Sequence, residues 1–216
     1  MYTIFTIARS VAVILMAVMA SSSSAWAGLL ANGDFEATQY AAGTYTYPHG
    51  TVDGWAYAGD SGIINVQAPN PFNSPNASPT GYDGNQYGFV QTTGTISQSF
   101  NSSGGVFSLS FLDAGRLAPC CNGSQSFEVL IDDDVVGTFS TTNNGVFAQQ
   151  MISSISLDAG SHTLMFEGLD PGGGDVTSYI DNVNLTQVPE PSSFALLGVG
   201  LGGIAAFGLR RRRGQV

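Results

Sequence analysis

Apolar and polar residues alternate along short segments of the chain, and no stretch between the two ends has the period of a helix. Phe107, Leu109 and Phe111 share one face of such a segment, with serines at the positions between them. A period of two is typical of a strand that buries one face. Clusters of Gly, Asn, Asp and Pro separate the segments, as turns require. The pattern predicts an all-β domain, an antiparallel sandwich or barrel.

Ten segments are candidate strands, and the alternation is clear in several of them. They are Leu29–Glu36, Gly62–Val66, Gln86–Gln91, Thr95–Asn101, Val106–Asp113, Ser126–Asp132, Val135–Ser140, Ala148–Leu157, His162–Gly168 and Thr177–Thr186. A Pro-rich interval, Ala68–Asn85, is long enough to be either a functional loop or a plain surface connection.

The amino terminus has the three parts of a secretory signal. Arg9 precedes the apolar run Val11–Ala20, and small residues at Ala25 and Ala27 form a cleavage site. The alternative, an uncleaved anchor, does not account for these small residues. We therefore expect residues 1–27 to be a signal peptide that signal peptidase removes.

The carboxyl terminus contains a second apolar span. Phe194–Leu209 holds sixteen residues without a charge, which as a helix extends about 24 Å, a little less than a bilayer core. A core helix rarely ends in four consecutive arginines, so the span predicts a transmembrane helix with the domain outside the cytoplasm. The flanking residues are Pro189, Glu190 and Pro191 before the span and Arg210, Arg211, Arg212 and Arg213 after it.

This arrangement of a Pro-Glu-Pro motif, a Gly-rich span and terminal arginines resembles the PEP-CTERM sorting signal. The resemblance implies processing by an exosortase, a membrane enzyme of Gram-negative bacteria, and an association with exopolysaccharide and biofilm matrix. The predicted organisation is a signal peptide (1–27), a β domain (28–187) and a sorting signal (188–216). The precursor would be anchored in the inner membrane, and the product would reach the cell surface or extracellular matrix.

The body of the chain is strongly acidic. Between the two ends, Arg116 is the single basic residue against fifteen Asp and Glu, and the chain contains no lysine. Such a field repels phosphate backbones, so nucleic-acid binding is excluded, whereas bound cations are favoured.

The two cysteines are neighbours, Cys120 and Cys121. Two vicinal thiols are too few for a zinc site. In an oxidising compartment they could form a vicinal disulfide, and free thiols in a loop are the alternative.

The order of several motifs resembles the galactose-binding-like jelly roll found in many carbohydrate-binding modules. The motifs are Asn32–Glu36, Asp53–Trp55, Asp83–Gly84, Ile96–Phe100, Ala159–Leu164 and Tyr179–Val183. The resemblance implies an antiparallel jelly-roll β-sandwich.

Asp181 is the most informative acidic residue. In a regular strand it shares a face with Tyr179 and Val183, and a carboxylate on an apolar face costs several kcal/mol unless it is paired. Calcium prefers such oxygen ligands. The jelly-roll resemblance implies a structural calcium held by Glu36 and Asp181, with Asp34 as a less certain third ligand. The alternative is a bulge that exposes Asp181.

Aromatic side chains beside polar groups suggest a sugar site, because rings stack on the apolar faces of sugars. The candidates are Trp55, Tyr57, Tyr82, Tyr87 and Arg116. Trp55 is favoured as a core residue, and Arg116 is either a ligand contact or a salt-bridge partner.

No sequence motif for catalysis is present. The run Asp132–Asp134 is favoured as a hairpin turn, because three consecutive carboxylates do not converge on one ion. We therefore expect a noncatalytic, exported surface or matrix protein that binds polysaccharide. The alternative is a structural or adhesive protein that acts through protein contacts.

Overall fold

The computed structural model describes residues 29–70, 72, 79–117, 125–170 and 176–189. These residues form strands and turns without any helix. The strands are β1 (Tyr45–Thr46), β2 (Gly50–Val52), β3 (Trp55–Ala58), β4 (Ser61–Asn65), β5 (Gln86–Gln91), β6 (Thr95–Gly115), β7 (Ser126–Ile131), β8 (Asp134–Ser140), β9 (Ala148–Gly168) and β10 (Thr177–Gln187). All pairs between these strands are antiparallel. The predicted all-β jelly-roll sandwich is confirmed.

Two long strands, β6 and β9, connect the layers of the sandwich. They pair with each other from Thr95 opposite Glu167 to Asp113 opposite Ala148. The first half of β6 also pairs with β3, and its second half pairs with β10. The first sheet therefore has the order β2-β3-β6-β9-β7-β8, and the second sheet has the order β1-β4-β5-β10-β6-β9. Gly104 lies at the changeover with a positive φ of 84°, which glycine adopts at little cost.

The main core lies between the two sheets. Phe111 of the second sheet contacts Phe127 and Phe166 of the first, with ring centroids 6.1 and 5.3 Å apart. Trp55 packs 5.3 Å from Phe35, and its indole nitrogen donates a hydrogen bond to the Asn32 carbonyl. The core thus joins the amino-terminal segment to both sheets.

The second sheet is also covered on its outer face. A second group of buried side chains, which we call the aromatic layer, lies there. It consists of Ile64, Val66, Phe72, Tyr87, Phe89, Ala114, Phe147 and Tyr179. Strands β4 and β5 are consequently buried along their whole length, which explains why apolar residues and glycine occupy the interior of each strand on both faces, with polar residues only at the strand ends.

The predicted strand Leu29–Glu36 is wrong. This segment forms turns, because Asn32 and Phe35 have positive φ values of 49° and 57°. It nevertheless lies along β10, where the amide of Val183 donates to the carbonyl of Gly33 at 2.8 Å. The sequence pattern also missed β1, β2 and β3, and it divided β6 and β9 into two strands each.

Several sequence predictions lie outside the described residues. They are the signal peptide (1–27), the transmembrane segment (194–209), the cysteine pair, and the terminal arginines. Within the described parts of the chain, no helix is long and apolar enough to cross a membrane.

We expect Gly33→Ala to destabilise the domain by about 3 kcal/mol or more, because overpacking against a fixed backbone forces the neighbouring strand to move. A Cβ at Gly33 would overlap the Val183 carbonyl. The measurement is the free energy of unfolding from urea denaturation. Gly50→Ala is the control, because a Cβ at Gly50 has no atom within contact distance. The substitution at Gly50 is opposed only by the positive φ of that residue, which costs about 1–2 kcal/mol. Equal losses for both variants would contradict the packing account.

Candidate functional site

Two carboxylates hold the turn that leads into β5. Asp181 accepts a hydrogen bond from the amide of Asp83 at 2.7 Å. Glu36 accepts two, from the amides of Asn85 and Gln86, at 2.5 and 2.6 Å through the same oxygen. The turn residues from Asp83 to Gln86 therefore lie between Glu36 and Asp181, and the predicted pair is brought to one place.

The strand β10 has an irregularity at Asp181, but Asp181 stays inside. The register shifts between Asp181 and Asn184, and Asn182 has a φ of 47°. Asn182 is the exposed residue, while Asp181 is fully buried. The amide of Asn182 donates to Asp181 at 2.7 Å. The bulge that the alternative interpretation required is present, but it does not expose Asp181.

The surroundings make the Asp181 carboxylate costly to ionise. Burial raises its pKa to about 7, and the two backbone hydrogen bonds offset only part of this shift. The nearby carboxyls of Asp83 and Glu36 make smaller contributions to the same rise in the pKa of Asp181.

The donor chemistry around this carboxylate pair fits a hard cation. Glu36 and Asp181 offer oxygen only. Oε1 of Glu36 accepts both amide hydrogens, but Oε2 of Glu36 and the two oxygens of Asp181 each accept one hydrogen bond and keep a second lone pair. Asp34 does not join them; it is exposed, and its carboxylate accepts from the Glu36 amide at 3.4 Å. Among the described residues no group of three or more His, Cys, Asp or Glu converges as metal ligands would. Any calcium here would rely on two carboxylates and on carbonyl oxygens.

Most aromatic residues predicted to bind sugar are in the interior. Trp55 and Tyr87 are fully buried, and Tyr57 is 3% exposed. Their faces pack on other side chains, so they cannot serve as stacking platforms. For Tyr57 and Tyr87 the prediction of a sugar contact is wrong, whereas for Trp55 the burial agrees with the favoured interpretation as a core residue. Tyr82 is half-buried, with its ring 5.7 Å from Tyr87 and 6.1 Å from Phe147.

Arg116 is buried rather than presented on a loop. It is 4% exposed, and its guanidinium lies 4.5 Å from the centre of the Phe72 ring. The Arg116 amide donates to the Thr177 carbonyl at 3.0 Å. Arg116 therefore supports the aromatic layer through a cation–π contact.

Among the described residues, the exposed large aromatic side chains are two tyrosines that were not among the predicted site residues. Tyr45 is 42% exposed and Tyr47 is 37% exposed. Their rings are perpendicular, at 88° with centroids 6.0 Å apart. Tyr45 packs 4.9 Å from Phe72, and Tyr47 packs 5.1 Å from Phe89. We call Tyr45 and Tyr47, with their supports Phe72 and Phe89, the aromatic edge.

Polar groups lie directly behind the aromatic edge. The Tyr47 hydroxyl donates to the side-chain oxygen of Gln91 at 2.6 Å. The Gln91 amide in turn donates to the Thr177 hydroxyl at 2.7 Å. Gly62 allows this packing, because a Cβ there would press on the Phe89 ring and overlap the Thr46 carbonyl. The edge thus combines fixed rings with neutral hydrogen-bonding groups.

A sequence signal for the aromatic edge did exist. Tyr45-Thr46-Tyr47 alternates with a period of two, which places both rings on one side of an extended chain. Tyr45 pairs with Ile64 of the aromatic layer. The segment is only two residues long as a strand, so the pattern was too short to stand out.

Comparison with known protein families identifies a motif at the carboxyl terminus of the chain. Residues 187–213 match the PEP-CTERM protein-sorting motif. The chain carries a PEP-CTERM sorting signal. The match begins where β10 ends, at Gln187, and the next two residues, Val188 and Pro189, are exposed. A search of the curated proteins finds no match to the chain.

Solved structures confirm the fold of the β domain. The carbohydrate-binding module TmCBM61, in complex with β-1,4-galactotriose, aligns with a TM-score of 0.52 and 16% identity over 75% of this chain and 99% of the module. A cyclase from Fischerella sp. TAU aligns with a TM-score of 0.53 and 16% identity, over 75% of this chain and 97% of the cyclase. These proteins share a fold with different roles, so the fold by itself does not assign a function.

The acidic run Asp132–Asp134 forms the turn between β7 and β8, as predicted. Asp132 accepts from the amide of Thr163 at 2.8 Å, and its other oxygen is 2.5 Å from Nδ1 of His162. Nε2 of His162 lies 3.0 Å from the Asp158 carbonyl. Both ring nitrogens have acceptors, which favours the charged imidazolium and ties the turn to β9.

We expect stability to fall as the pH rises above about 6.5, the ordinary pKa of histidine. The bond to Asp132, followed by that to the Asp158 carbonyl, raises the pKa of His162. A histidine whose pKa is higher in the folded than in the unfolded state stabilises the fold fully at a pH below its unfolded-state pKa. This contribution is lost as the pH rises through the folded-state pKa. Asp132 has the opposite pH dependence. The hydrogen bond from His162 lowers the pKa of Asp132, so the contribution of Asp132 to stability is lost only as the pH falls into the acid range.

The measurement is the difference in free energy of unfolding between the parent and His162→Gln from pH 5 to 8. The difference should shrink as the pH rises. His49→Gln is the control, because it removes an exposed histidine that lies outside the contact between His162 and Asp132. A difference for His162→Gln that stays constant over this range would contradict the assignment.

Proposed function

We propose that this protein is an exported, noncatalytic polysaccharide-binding protein that uses its aromatic edge and is sorted by an exosortase. The observation that carries the binding role is the exposure of Tyr45 and Tyr47 at the margin of an otherwise buried aromatic layer. A buried layer that ends in two exposed, perpendicular rings offers apolar surface in a fixed geometry. Such surface suits the apolar face of a sugar ring.

The neighbouring polar groups support binding rather than catalysis. The buried Gln91 side chain accepts a hydrogen bond from the Tyr47 hydroxyl and holds it in place, and the phenol oxygen of Tyr47 can still accept a hydrogen bond from a sugar hydroxyl. The jelly-roll fold is the one with which TmCBM61 holds β-1,4-galactotriose, which makes β-1,4-galactan the first glycan to test.

The position of the sorting signal supports release of the folded domain. The signal begins at the last residue of β10, and Pro189 is exposed. An exosortase could therefore reach the Pro-Glu-Pro segment without unfolding the sandwich. The precursor would span the inner membrane of a Gram-negative bacterium after signal peptidase cleavage. The product would join the cell surface or the biofilm matrix.

A structural calcium at Glu36 and Asp181 is the second part of the proposal. Both carboxylates bind the turn from Asp83 to Gln86. A cation between them would supply positive charge where carboxyl groups are crowded, and would fix the amino-terminal segment to β10. Carbonyl oxygens would complete the shell.

We expect Tyr45→Ala and Tyr47→Ala each to weaken glycan binding about tenfold or more, because each removes a preorganised aromatic surface. The whole 216-residue chain, purified in a detergent without a sugar headgroup, would first be screened on a glycan array that includes β-1,4-galactan. Affinities for the retained glycan would then be measured by calorimetry.

Met151→Ala is the matched control. Met151 is 65% exposed on β9, at the opposite edge of the second sheet and roughly 24 Å from β1 by strand spacing. Its loss should leave binding unchanged. If the chain bound no glycan, the polysaccharide role would be rejected in favour of an adhesive protein that acts through protein contacts. Binding that survives both tyrosine substitutions would reject the aromatic edge as the binding site but would leave the polysaccharide-binding role in place.

Calcium should raise the melting temperature by about 5 °C or more at saturating concentration, because it binds only the folded state. Chelation should reverse the shift. Glu36→Gln should abolish it while keeping an oxygen acceptor for the Asn85 and Gln86 amides. The measurement is calorimetric melting with calcium and with chelator.

Asp113→Asn is the control for calcium. Asp113 is 5% exposed and accepts a hydrogen bond from Gln150, but it lies on β6, outside the carboxylate pair. This variant should keep the full calcium shift. A melting temperature of the parent that does not respond to calcium would contradict the proposed site.

A further inference from the structure

The surface of the described domain lacks exposed lysine and arginine charge. The sequence has no lysine, and Arg116 is the one arginine among the described residues. Arg116 is 4% exposed, and its guanidinium faces the Phe72 ring at 4.5 Å. An anionic ligand at the aromatic edge would therefore find no lysine or arginine side chain presented to it within this part of the chain.

Carboxylates instead lie beside the aromatic edge. Asp60 is exposed, and its backbone carbonyl accepts from the amide of Gln91 at 2.8 Å. Its carboxylate accepts from the Thr92 hydroxyl at 2.8 Å. The Asp170 amide donates to the Thr92 carbonyl at 3.1 Å, which places a second acidic residue at the same end of β5. Gln91, which accepts from the Tyr47 hydroxyl, therefore contacts Asp60, and the next residue, Thr92, contacts both Asp60 and Asp170.

We propose that the aromatic edge selects uncharged polysaccharides and rejects those that carry uronate, sulfate or phosphate groups. This inference rests on the proposed binding role of the edge. The exposed groups there, the two tyrosine rings, are neutral, and so is the buried Gln91 amide behind them. Like charges that approach a surface within the screening length repel, and this repulsion suppresses unsuitable partners.

The wider field acts in the same direction. Fourteen Asp and Glu lie among the described residues against the single buried arginine. A field of one sign lowers the local concentration of a polyanion and slows its association. A neutral chain is indifferent to this field and gains the full stacking contact with Tyr45 and Tyr47.

The test compares glycans that differ only in charge. The probes are polygalacturonan and xylan bearing glucuronate side groups, each paired with its carboxyl-reduced counterpart, together with neutral β-1,4-galactan. Binding to the whole chain would be measured by affinity electrophoresis at pH 7.5, at low and high salt, with calcium and with chelator. At low salt we expect each reduced polymer that binds to be retained about tenfold more strongly than its acidic parent.

The charge account is tested further with Asp60→Asn. Asparagine keeps an oxygen acceptor for Thr92, and the loss of charge should increase binding of the acidic polymers several-fold while leaving neutral polymers unaffected. Asp134→Asn is the control, because Asp134 is exposed on β8 at the far edge of the first sheet. It should change neither class.

The outcomes separate the two proposals. Tyrosine-dependent retention of neutral polymers with weak retention of their acidic parents supports the inference. Equal or stronger retention of an acidic parent, with or without calcium, overturns the inference and leaves polysaccharide binding intact. Retention of none of these polymers, neutral or acidic, overturns both.

Discussion

The burial of the second sheet on both faces is the constraint on which the rest of the structure depends. Its inner face packs against the first sheet, and its outer face carries the aromatic layer. Because β4 and β5 have no solvated face, the chain must supply covering groups, among them Phe72 and Phe147. The cover ends at β1, and there Tyr45 and Tyr47 emerge. The proposed binding surface is thus the margin of a packed layer rather than a separate loop.

This origin gives the aromatic edge its rigidity. Tyr47 is held through its ring by Phe89 and through its hydroxyl by Gln91. Phe72, which supports Tyr45, is itself stacked by the buried Arg116. Side chains fixed by packing and hydrogen bonds lose little conformational entropy when a ligand arrives, so more of the contact energy contributes to affinity. The lone arginine of the domain therefore acts on binding indirectly, through the ring that it supports.

The sequence predicted the parts of the fold that depend on local alternation. Gln86–Gln91 was predicted with the bounds that the structure shows, because turn residues precede it and apolar residues fill it. The fusion of two predicted segments into β6 could not be predicted, since the pairing with β9 that carries the strand through Gly104 is nonlocal. The segment 29–36 alternates like a strand, yet positive φ values at Asn32 and Phe35 turn it. Tertiary contacts with β10 decided that conformation.

The candidate site, like the fold, was predicted from the sequence only in part, because some of it depends on tertiary contacts. The approach of Glu36 to Asp181 was implied by the resemblance to the galactose-binding-like jelly roll, and the structure brings both to one turn. Which aromatic residues are exposed depends on what covers the second sheet, and covering contacts leave no periodic signal. Tyr57 and Tyr87 were for that reason selected as candidate platforms although they are buried.

The central claim is that polysaccharide binds over Tyr45 and Tyr47, and differential nitration of tyrosine tests it most directly. The whole chain would be treated with tetranitromethane with and without the glycan that it retains, and each tyrosine would be followed by mass spectrometry. The account predicts that glycan slows the nitration of Tyr45 and Tyr47 and leaves that of the half-buried Tyr82 unchanged. Protection of Tyr82 with unchanged nitration of Tyr45 and Tyr47 would contradict it.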